Sequence, residues 1–372
     1  MAWTKCIEKM GKRLGVWVLK LFFRREDLRR EDFDRDRVKK ILVVRQDNRI
    51  GNLVLITPLL RAIKAAFPES HLALLVGKRF SELLSGSPDV DEQIVVREKN
   101  CFAHPIRFLR FLHGLKKQDF DLAIDASSMH AFSFTHGYFT HATHAPFRVG
   151  YDRKDSDLFL NLRVPRPEGT HHEVDLHLNL LRYLVDDVTE PMMRIPVSDA
   201  DRRRAFQVFT NRGIGAHELV VGMHLGGRRG KQWLVSRFAD LTDRVRAKFG
   251  ARVVVLWGPD EERAVRLFRA EVHSDPIVIA PTSIGSLAAL IERCHVFVCG
   301  DTGPMHMAVA LDVPTIAIFS VEDYRRYGPR GVHHRIVFDP EGKVEVEDVL
   351  LAFEDLLEQL SREAETQDKS KK

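Results

Sequence analysis

Cysteine is scarce in this sequence: 372 residues hold four, Cys6, Cys101, Cys294 and Cys299, with no C-x-x-C pair and no histidine at zinc-ligand spacing from any of them. A disulfide framework and a cysteine zinc site are therefore not expected, and a reducing compartment with free thiols fits. Long apolar runs are also missing. The longest, around Gly15 to Phe23, is interrupted by Lys20 and falls short of the ~20 residues that span a bilayer. No small-residue cleavage site follows it, so a signal peptide is not expected either. Basic excess is absent from the body of the chain. Residues 1–25 carry seven Lys or Arg against the single Glu8, a net +6 within a total of +5, which leaves residues 26–372 at −1. A folded nucleic-acid-binding surface would need that charge on the domains, so no nucleic-acid partner is expected.

What is present describes a soluble globular protein, 44% apolar and 29% charged, and long enough for two domains with their own cores. The basic arm has its own pattern. Trp3, Ile7, Met10, Leu14, Trp17 and Leu21 recur at helical spacing, with Lys5, Lys9, Lys12, Arg13 and Lys20 on the opposite side. A helix of that kind suits the interface of an anionic membrane, although the same stripe could pack on the protein body or on a second subunit. The Arg/Asp/Glu-rich stretch 24–40 reads as a solvated linker or helix.

From residue 38 a strand–loop–helix rhythm begins. Ile41-Leu42-Val43-Val44 is a β-branched run, Arg45–Asn52 a polar turn, and Leu53–Ala66 a helical pattern. Strands are expected again at 71–76, 93–96 and 121–125, with helices at 80–85 and near 105–117. Alternation of this kind predicts a parallel sheet flanked by helices, with ligands beyond the carboxyl ends of the strands, where the Arg45–Asn52 loop emerges. That loop has one glycine, Gly51, and is neither a dinucleotide fingerprint nor a Walker A loop. Gly51 either admits a close neighbour to the backbone or eases the turn into the helix. The histidines His130, His136, His141, His144, His171, His172 and His177 match no ligand spacing, so no metal site is assigned to them. His172 is a candidate for substrate contact in an interdomain cleft.

After Pro191–Pro196 the composition shifts to a polar helix at 199–212, and the rhythm restarts with a strand at 219–224. The loop Leu225–Trp233 combines glycines with three cations, Arg228, Arg229 and Lys231. That is the composition of a backbone cradle for phosphate oxygens. The most informative segment is His295–Ala310, a strand that runs through Asp301-Thr302-Gly303 directly into a helix. The first amides of that helix lack intrahelical partners and sit at the positive end of its dipole, so an anion is stabilised there. Asp301 is expected to cap the helix or fix the turn. The strand-turn-helix context separates this Asp-Thr-Gly from that of the all-β aspartic proteases.

Taken together, these residues resemble the heptosyltransferases of lipopolysaccharide assembly, glycosyltransferase family 9, over roughly residues 38–350. The resemblance rests on the order of the motifs Ile41–Arg45 with Gly51 and Thr57–Arg61, Arg148–Arg153, the Lys231/Trp233 loop, Gly258–Glu261, Asp301–His306 and Tyr327-Gly328-Pro329. It implies an α/β fold of GT-B type, two Rossmann-like domains facing across a cleft. The divisions are an arm at 1–37, an acceptor domain at 38–195, a donor-nucleotide domain at 196–350, and a C-terminal helix and charged tail at 351–372. It also implies inverting, metal-independent and cofactor-free transfer from a nucleotide sugar, ADP-L-glycero-D-manno-heptose in most of the family, to a lipid A-core or other lipid-linked acceptor. Such an enzyme works in the cytoplasm at the inner face of the bacterial inner membrane. Carried over by position, Lys231 neutralises the diphosphate, the Thr302 and Gly303 amides bind it beside Asp301, Glu261 holds the ribose, and His306 lines the pocket. Arg45 and Gly51 belong to the acceptor loop. The sequence departs from the family at Asn52, where an aspartate characteristically takes the acceptor proton. Asn52 cannot act as a base near neutral pH. Asp47, in the same loop, is the candidate substitute, with an Asx turn as its alternative role. Two other readings stand beside transfer: a nucleotide-sugar epimerase of the same architecture, and a degenerate transferase retained as a binding protein.

Overall fold

The computed structural model describes residues 26–370 apart from residues 48, 98–104, 131 and 228–231. The arm at 1–25 and Lys231 therefore lie outside the described residues. The first unit contains β1 (Lys40–Arg45), α1 (Ile50–Leu55), α2 (Thr57–Ala66), β2 (His71–Gly77), β3 (Glu92–Val96), α3 (Pro105–Lys116), β4 (Leu122–Asp125), α4 (Phe134–Ala142), β5 (Phe147–Tyr151), β6 (Leu162–Val164) and α5 (Glu173–Arg182). The second contains α6 (Asp199–Asn211), β7 (Val220–His224), α7 (Val235–Phe249), β8 (Arg252–Leu256), α8 (Glu262–Glu271), β9 (Ile277–Ile279), α9 (Ile284–Glu292), β10 (Val296–Gly300), α10 (Gly303–Ala310), β11 (Thr315–Phe319), α11 (Tyr324–Tyr327), β12 (His334–Phe338) and α12 (Val346–Ser370). Lys78–Leu84, where a helix is expected, forms a 3-10 helix, and the 24–40 stretch holds only short 3-10 turns at 30–32 and 35–37.

Both sheets are parallel, and both have the same order. The first runs β3-β2-β1-β4-β5-β6 and the second β12-β11-β10-β7-β8-β9, which read from the other edge is the same doubly wound pattern. The order reverses between β1 and β4 and again between β7 and β10, and crevices open beyond the carboxyl ends of the strands at such points. The central strands are apolar on both sides because helices cover both faces; Ile41, Leu42, Val43 and Val44 are fully buried.

Local signals set the element ends. Ser198 and Ser283 accept hydrogen bonds from the N–H groups of Asp201 and Ser286 and so cap α6 and α9. Gly250, at φ 64°, ends α7 in the left-handed conformation that glycine adopts without strain.

The cores show how the units meet. One continuous apolar cluster joins the face of the first sheet under α1, α2 and α5 to the face of the second under α9 and α10. The outer face of the first sheet has a separate core under α3 and α4, and that of the second has one under α7, α8 and α12. Polar bridges accompany the shared core. Arg326 pairs with the buried Glu173 at 2.8 Å, Arg330 donates to Asp175 at 2.7 Å, and His172 Nε2 lies 3.0 Å from the Gly328 carbonyl oxygen. The two switch points thereby face each other across one cleft.

Candidate active site

A cavity of about 590 Å³ occupies that cleft, within the ~300–1,000 Å³ range of small-molecule sites. From the first unit Arg49, Ile50, Gly51, Asn52, Arg79 and Phe80 line it. From the second come His224, Gly227, Trp257–Glu261, Asp301–Pro304 and His306 among others.

The second-unit wall is made where β10 gives way to α10. The strand ends at Gly300, and Thr302, in extended conformation at φ −139° and ψ 165°, is the N-cap residue. Of the two roles expected for Asp301, capping falls to Thr302, and Asp301 itself lies in the bend before the cap, where the turn-fixing role remains. Thr302 makes no side-chain capping bond, and its Oγ1 is buried without a partner. Pro304 supplies no N–H, which leaves the amides of Gly303 and Met305 at the first turn.

Beside this turn, Glu261 closes the short helix after β8. Its Oε2 accepts from the Gly258 N–H at 2.7 Å and lies 3.2 Å from His224 Nε2. Burial works against its charge, yet the His224 hydrogen bond and charge and the Gly258 amide outweigh it and hold the carboxyl below its usual range. Gly226 makes this packing possible, because a Cβ there would stand 1.6 Å from Glu261 Oε1 and 2.5 Å from His224 Cε1. The neighbouring loop is anchored rather than solvated at its far end: Trp233 is buried and donates from Nε1 to the Val344 carbonyl at 2.8 Å.

The first-unit wall is the turn after β1. A Cβ on Gly51 would meet His306 Cδ2 at 2.6 Å, and one on Gly303 would meet Ile50 Cβ at 3.0 Å. The two helix starts therefore touch through paired glycines, and of the two uses the sequence leaves open for Gly51, close approach is the one observed. Burial pushes His306 down to about 3, with the His172 charge adding to it, so the ring is neutral and packs as an uncharged plate. Asn52 lines the cavity and its amide Nδ2 donates to Asp47 Oδ2 at 2.5 Å. Asp47 lies one hydrogen bond behind that surface, 3.4 Å from the Arg45 guanidinium.

Under the turn lies a layer that sequence reading does not disclose. Arg45 is 1% exposed and donates to the Ala126 carbonyl; Arg153 pairs with the fully buried Asp125 at 2.9 Å and donates to Ser127 Oγ at 2.8 Å. His136 and His177 are buried beside it and held neutral chiefly by burial, His136 at about 4. His172, read as a substrate contact, spends both ring nitrogens on the protein. Nε2 faces the Gly328 carbonyl and Nδ1 accepts from the Val174 N–H at 3.2 Å, which fixes the proton on Nε2. Among the described residues the cations that line the cavity are Arg49 and Arg79, and no group of three or more His, Cys, Asp or Glu is arranged to hold a metal ion. Arg79, Phe80 and Trp257 carry no motif signal; only the strand order brings them to the cleft.

The sequence profile described as glycosyltransferase family 9 (heptosyltransferase) matches residues 108–349. The chain belongs to this family. It is 24% identical over 314 residues to lipopolysaccharide heptosyltransferase 1 of Escherichia coli, covering 81% of this chain and 94% of that one. To lipopolysaccharide core heptosyltransferase OpsX of Haemophilus influenzae it is 22% identical over 297 residues, covering 78% and 82%. The crystal structure of a family 9 glycosyltransferase from Veillonella parvula superposes with a TM-score of 0.79 at 22% identity, over 88% of this chain and 99% of that one. E. coli ADP-heptose lipopolysaccharide heptosyltransferase II superposes at 0.71 and 19% identity, over 87% and 99%. This family 9 chain is thus a GT-B glycosyltransferase, with two Rossmann-like domains as its sequence leads one to expect. No helix among its described residues is long and apolar enough to cross a membrane.

Proposed function

We propose that this glycosyltransferase moves a heptose from ADP-heptose onto a lipopolysaccharide core or a related lipid-linked glycan, by a single inverting displacement that needs no metal. The observation that carries this reading is the meeting of the α10 N-terminus and the Gly51-Asn52 turn in one cavity, with Gly303 against Ile50. The heptosyltransferase names of its relatives support the choice of sugar and acceptor.

In this reading the donor diphosphate lies on the amides of Thr302 and Gly303, next to Asp301, with Lys231 supplying charge; Glu261 holds the ribose and His306 closes the floor. Preorganised amides at a helix start stabilise the negative charge that develops on the departing diphosphate. The acceptor oxygen attacks the anomeric carbon as the bond from that carbon to the diphosphate oxygen breaks, and its proton passes to Asp47. The support for Asp47 is its hydrogen bond to Asn52, which lines the cavity, at 2.5 Å, so that one water beside the Asn52 side chain suffices to carry the acceptor proton to it. Asn52 then acts by orienting that carboxylate, and Arg45 by holding the loop from below. Division of labour follows the units, with 38–195 receiving the acceptor and 196–350 the donor. The basic arm at 1–25 holds the enzyme peripherally on the inner face of the bacterial inner membrane, where a lipid-linked acceptor resides.

The test is incubation of the purified chain with a panel of nucleotide sugars and a heptose-free lipid A-core, with and without chelator. The expected result is an acceptor heavier by one heptose, stoichiometric ADP and inverted anomeric configuration, unaffected by chelator. Tight ADP binding with neither transfer nor donor hydrolysis would make the chain a binding protein instead, the reading that Asn52 motivates.

A further inference from the structure

The outer face of α3 has a composition that the transfer reaction does not use. At 100° per residue, Phe108, Phe111, Leu112 and Leu115 fall on one side and pack into the outer core of the first sheet, with Phe111 5.8 Å from Phe139 of α4. Directly opposite stand Ile106, Arg110, His113 and Lys117, flanked by Leu109, Arg107 and Lys116. Ile106 is 66% exposed and Leu109 63%. Residues 105–117 contain four Lys or Arg and no Asp or Glu, and none of the four cations has a salt-bridge partner among the described residues. The acids that follow do not offset them closely: Asp121 is occupied by the backbone N–H groups of Lys39 and Lys40 at 2.9 and 2.8 Å, and Asp119 lies past the helix end.

Exposed Ile and Leu among unpaired cations exclude several covers for this face. A second copy of α3 would bring four cations against four, and the arm at 1–25 would bring a net +6. Both are repelled where their apolar residues would meet. An anionic surface that also accepts apolar side chains matches both features, and that is the chemistry of an acidic lipid bilayer.

The position of the face agrees. Its core is built from first-unit residues alone, on the side of the sheet away from the core shared with the second unit, so a surface contact there leaves the cleft open. The described chain starts on the same flank. Glu26, the residue after the arm, pairs with Arg148 at 3.1 Å, and the charges of Arg148 and of Lys116 at the end of α3 both bear on His144 at the end of α4.

We infer that the outer face of α3, through Ile106, Leu109, Arg107, Arg110 and Lys117, is a second contact with an anionic membrane surface, set beside the point where the arm leaves the domain. Arm and helix together form a two-point attachment that fixes the orientation of the acceptor domain. One point would leave it free to swivel.

The experiment is co-sedimentation of the full chain with phosphatidylglycerol–phosphatidylcholine vesicles and with pure phosphatidylcholine vesicles, at rising salt. Three full-length variants are compared with it: Arg107→Gln/Arg110→Gln, Ile106→Ser/Leu109→Ser, and Trp3→Ser/Trp17→Ser in the arm. All α3 positions are exposed, so thermal melting should be unchanged and serves as the folding control. The expected result is salt-sensitive binding to the acidic vesicles, weakened about twenty-five-fold in the Arg variant at about fivefold per lost cation, and weakened also in the Ile/Leu variant. If the α3 variants bind like the unsubstituted chain while the arm variant does not, the inference fails and the arm reading stands. Failure of the unsubstituted chain to bind acidic vesicles at all overturns both. Sedimentation of the unsubstituted chain as a dimer, with monomers for the Ile/Leu variant, would assign the face to a second copy and overturn the inference as well.

Discussion

The two walls of the cleft solve the same problem by different means. The α10 wall is made of backbone, namely a strand end, an extended cap residue and a helix start that glycines allow to sit close to its neighbours. The β1 wall is made of side chains stacked in depth, with Asn52 at the surface, Asp47 behind it, Arg45 behind that and the Arg153–Asp125 pair alongside. Backbone geometry tolerates drift in the surrounding residues. A stacked polar network does not, because each buried group depends on its partner for solvation. A residue without a titratable group at the position where the family resemblance leads one to expect the base is thus least expected in the second kind of wall, yet Asn52 stands there, with a carboxylate one hydrogen bond away.

That contrast can be broken most directly at Asp47. Asp47→Asn is expected to lower kcat by about 10³-fold with donor KM unchanged, the range typical of a lost general base. The exchange variant Asp47→Asn/Asn52→Asp moves the carboxylate to the surface and should recover most of that loss. Recovery measures whether the chemistry needs a carboxylate or this particular position. If Asp47→Asn turns over within a few fold of the unsubstituted chain, Asp47 is only shaping the turn.

On the donor side the matching break is Gly226→Ala. A methyl 1.6 Å from Glu261 Oε1 and 2.5 Å from His224 Cε1 must displace both, so donor KM should rise at least about tenfold while kcat changes little. Isothermal titration with ADP checks it independently of turnover. Gly51→Ala is expected to act between the units instead. Its methyl meets the His306 ring at 2.6 Å, a plate that is itself buried, and overpacking of this kind costs about 1–3 kcal/mol. The reading is a lower Tm with activity reduced on both substrates.

Legibility in the sequence divides along the same line. The alternation of β-branched runs with helical patterns gives two doubly wound sheets, and the strand-Asp-Thr-Gly-helix order gives the α10 turn, because both are properties of the local chain. His172 shows the limit. A histidine ahead of an amphipathic helix looks available, yet it caps α5 and reaches Gly328, a residue 156 positions away. Nothing near it in the chain carries that information. The buried layer of Arg45, Asp125, Arg153 and His136 was hidden for the same reason, since the Val44↔Asp125 pairing that assembles it is made only when β1 meets β4. That Thr302 and not Asp301 holds the cap position, leaving Asp301 the turn, is a shift of a single residue, within the usual uncertainty of helix ends.

An effect of comparable size should follow from pH. His172 bridges the units as a neutral ring, pushed down to about 4 chiefly by burial, with Arg330 adding to it. The unfolded chain titrates near 6.5, so between pH 6.5 and about 4 it binds the proton that the folded ring refuses. Stability is therefore complete above 6.5 and falls with pH down to about 4, by at most about 3 kcal/mol from this residue. His172→Gln keeps a donor toward Gly328 and removes the titration. A flatter Tm–pH profile over that window is expected, and an unchanged slope would assign the acid sensitivity to the other buried histidines.

The smallest expected effect discriminates most finely, at Gly303. A methyl there would stand 3.0 Å from Ile50 Cβ and 3.3 Å from its Cγ2, a contact that a shift of a few tenths of an ångström relieves. Against that crowding, alanine is favoured over glycine within a helix by about 1 kcal/mol, so Tm should change little in either direction. Donor affinity then isolates the cause of the glycine. If the residue serves only the fit between α10 and α1, Gly303→Ala should bind ADP within about threefold of the unsubstituted chain, because its amide is retained. If the diphosphate itself needs bare backbone at this turn, the loss will exceed tenfold at unchanged Tm. The first outcome makes the paired glycines a joint between domains, and the second makes one of them part of the donor site.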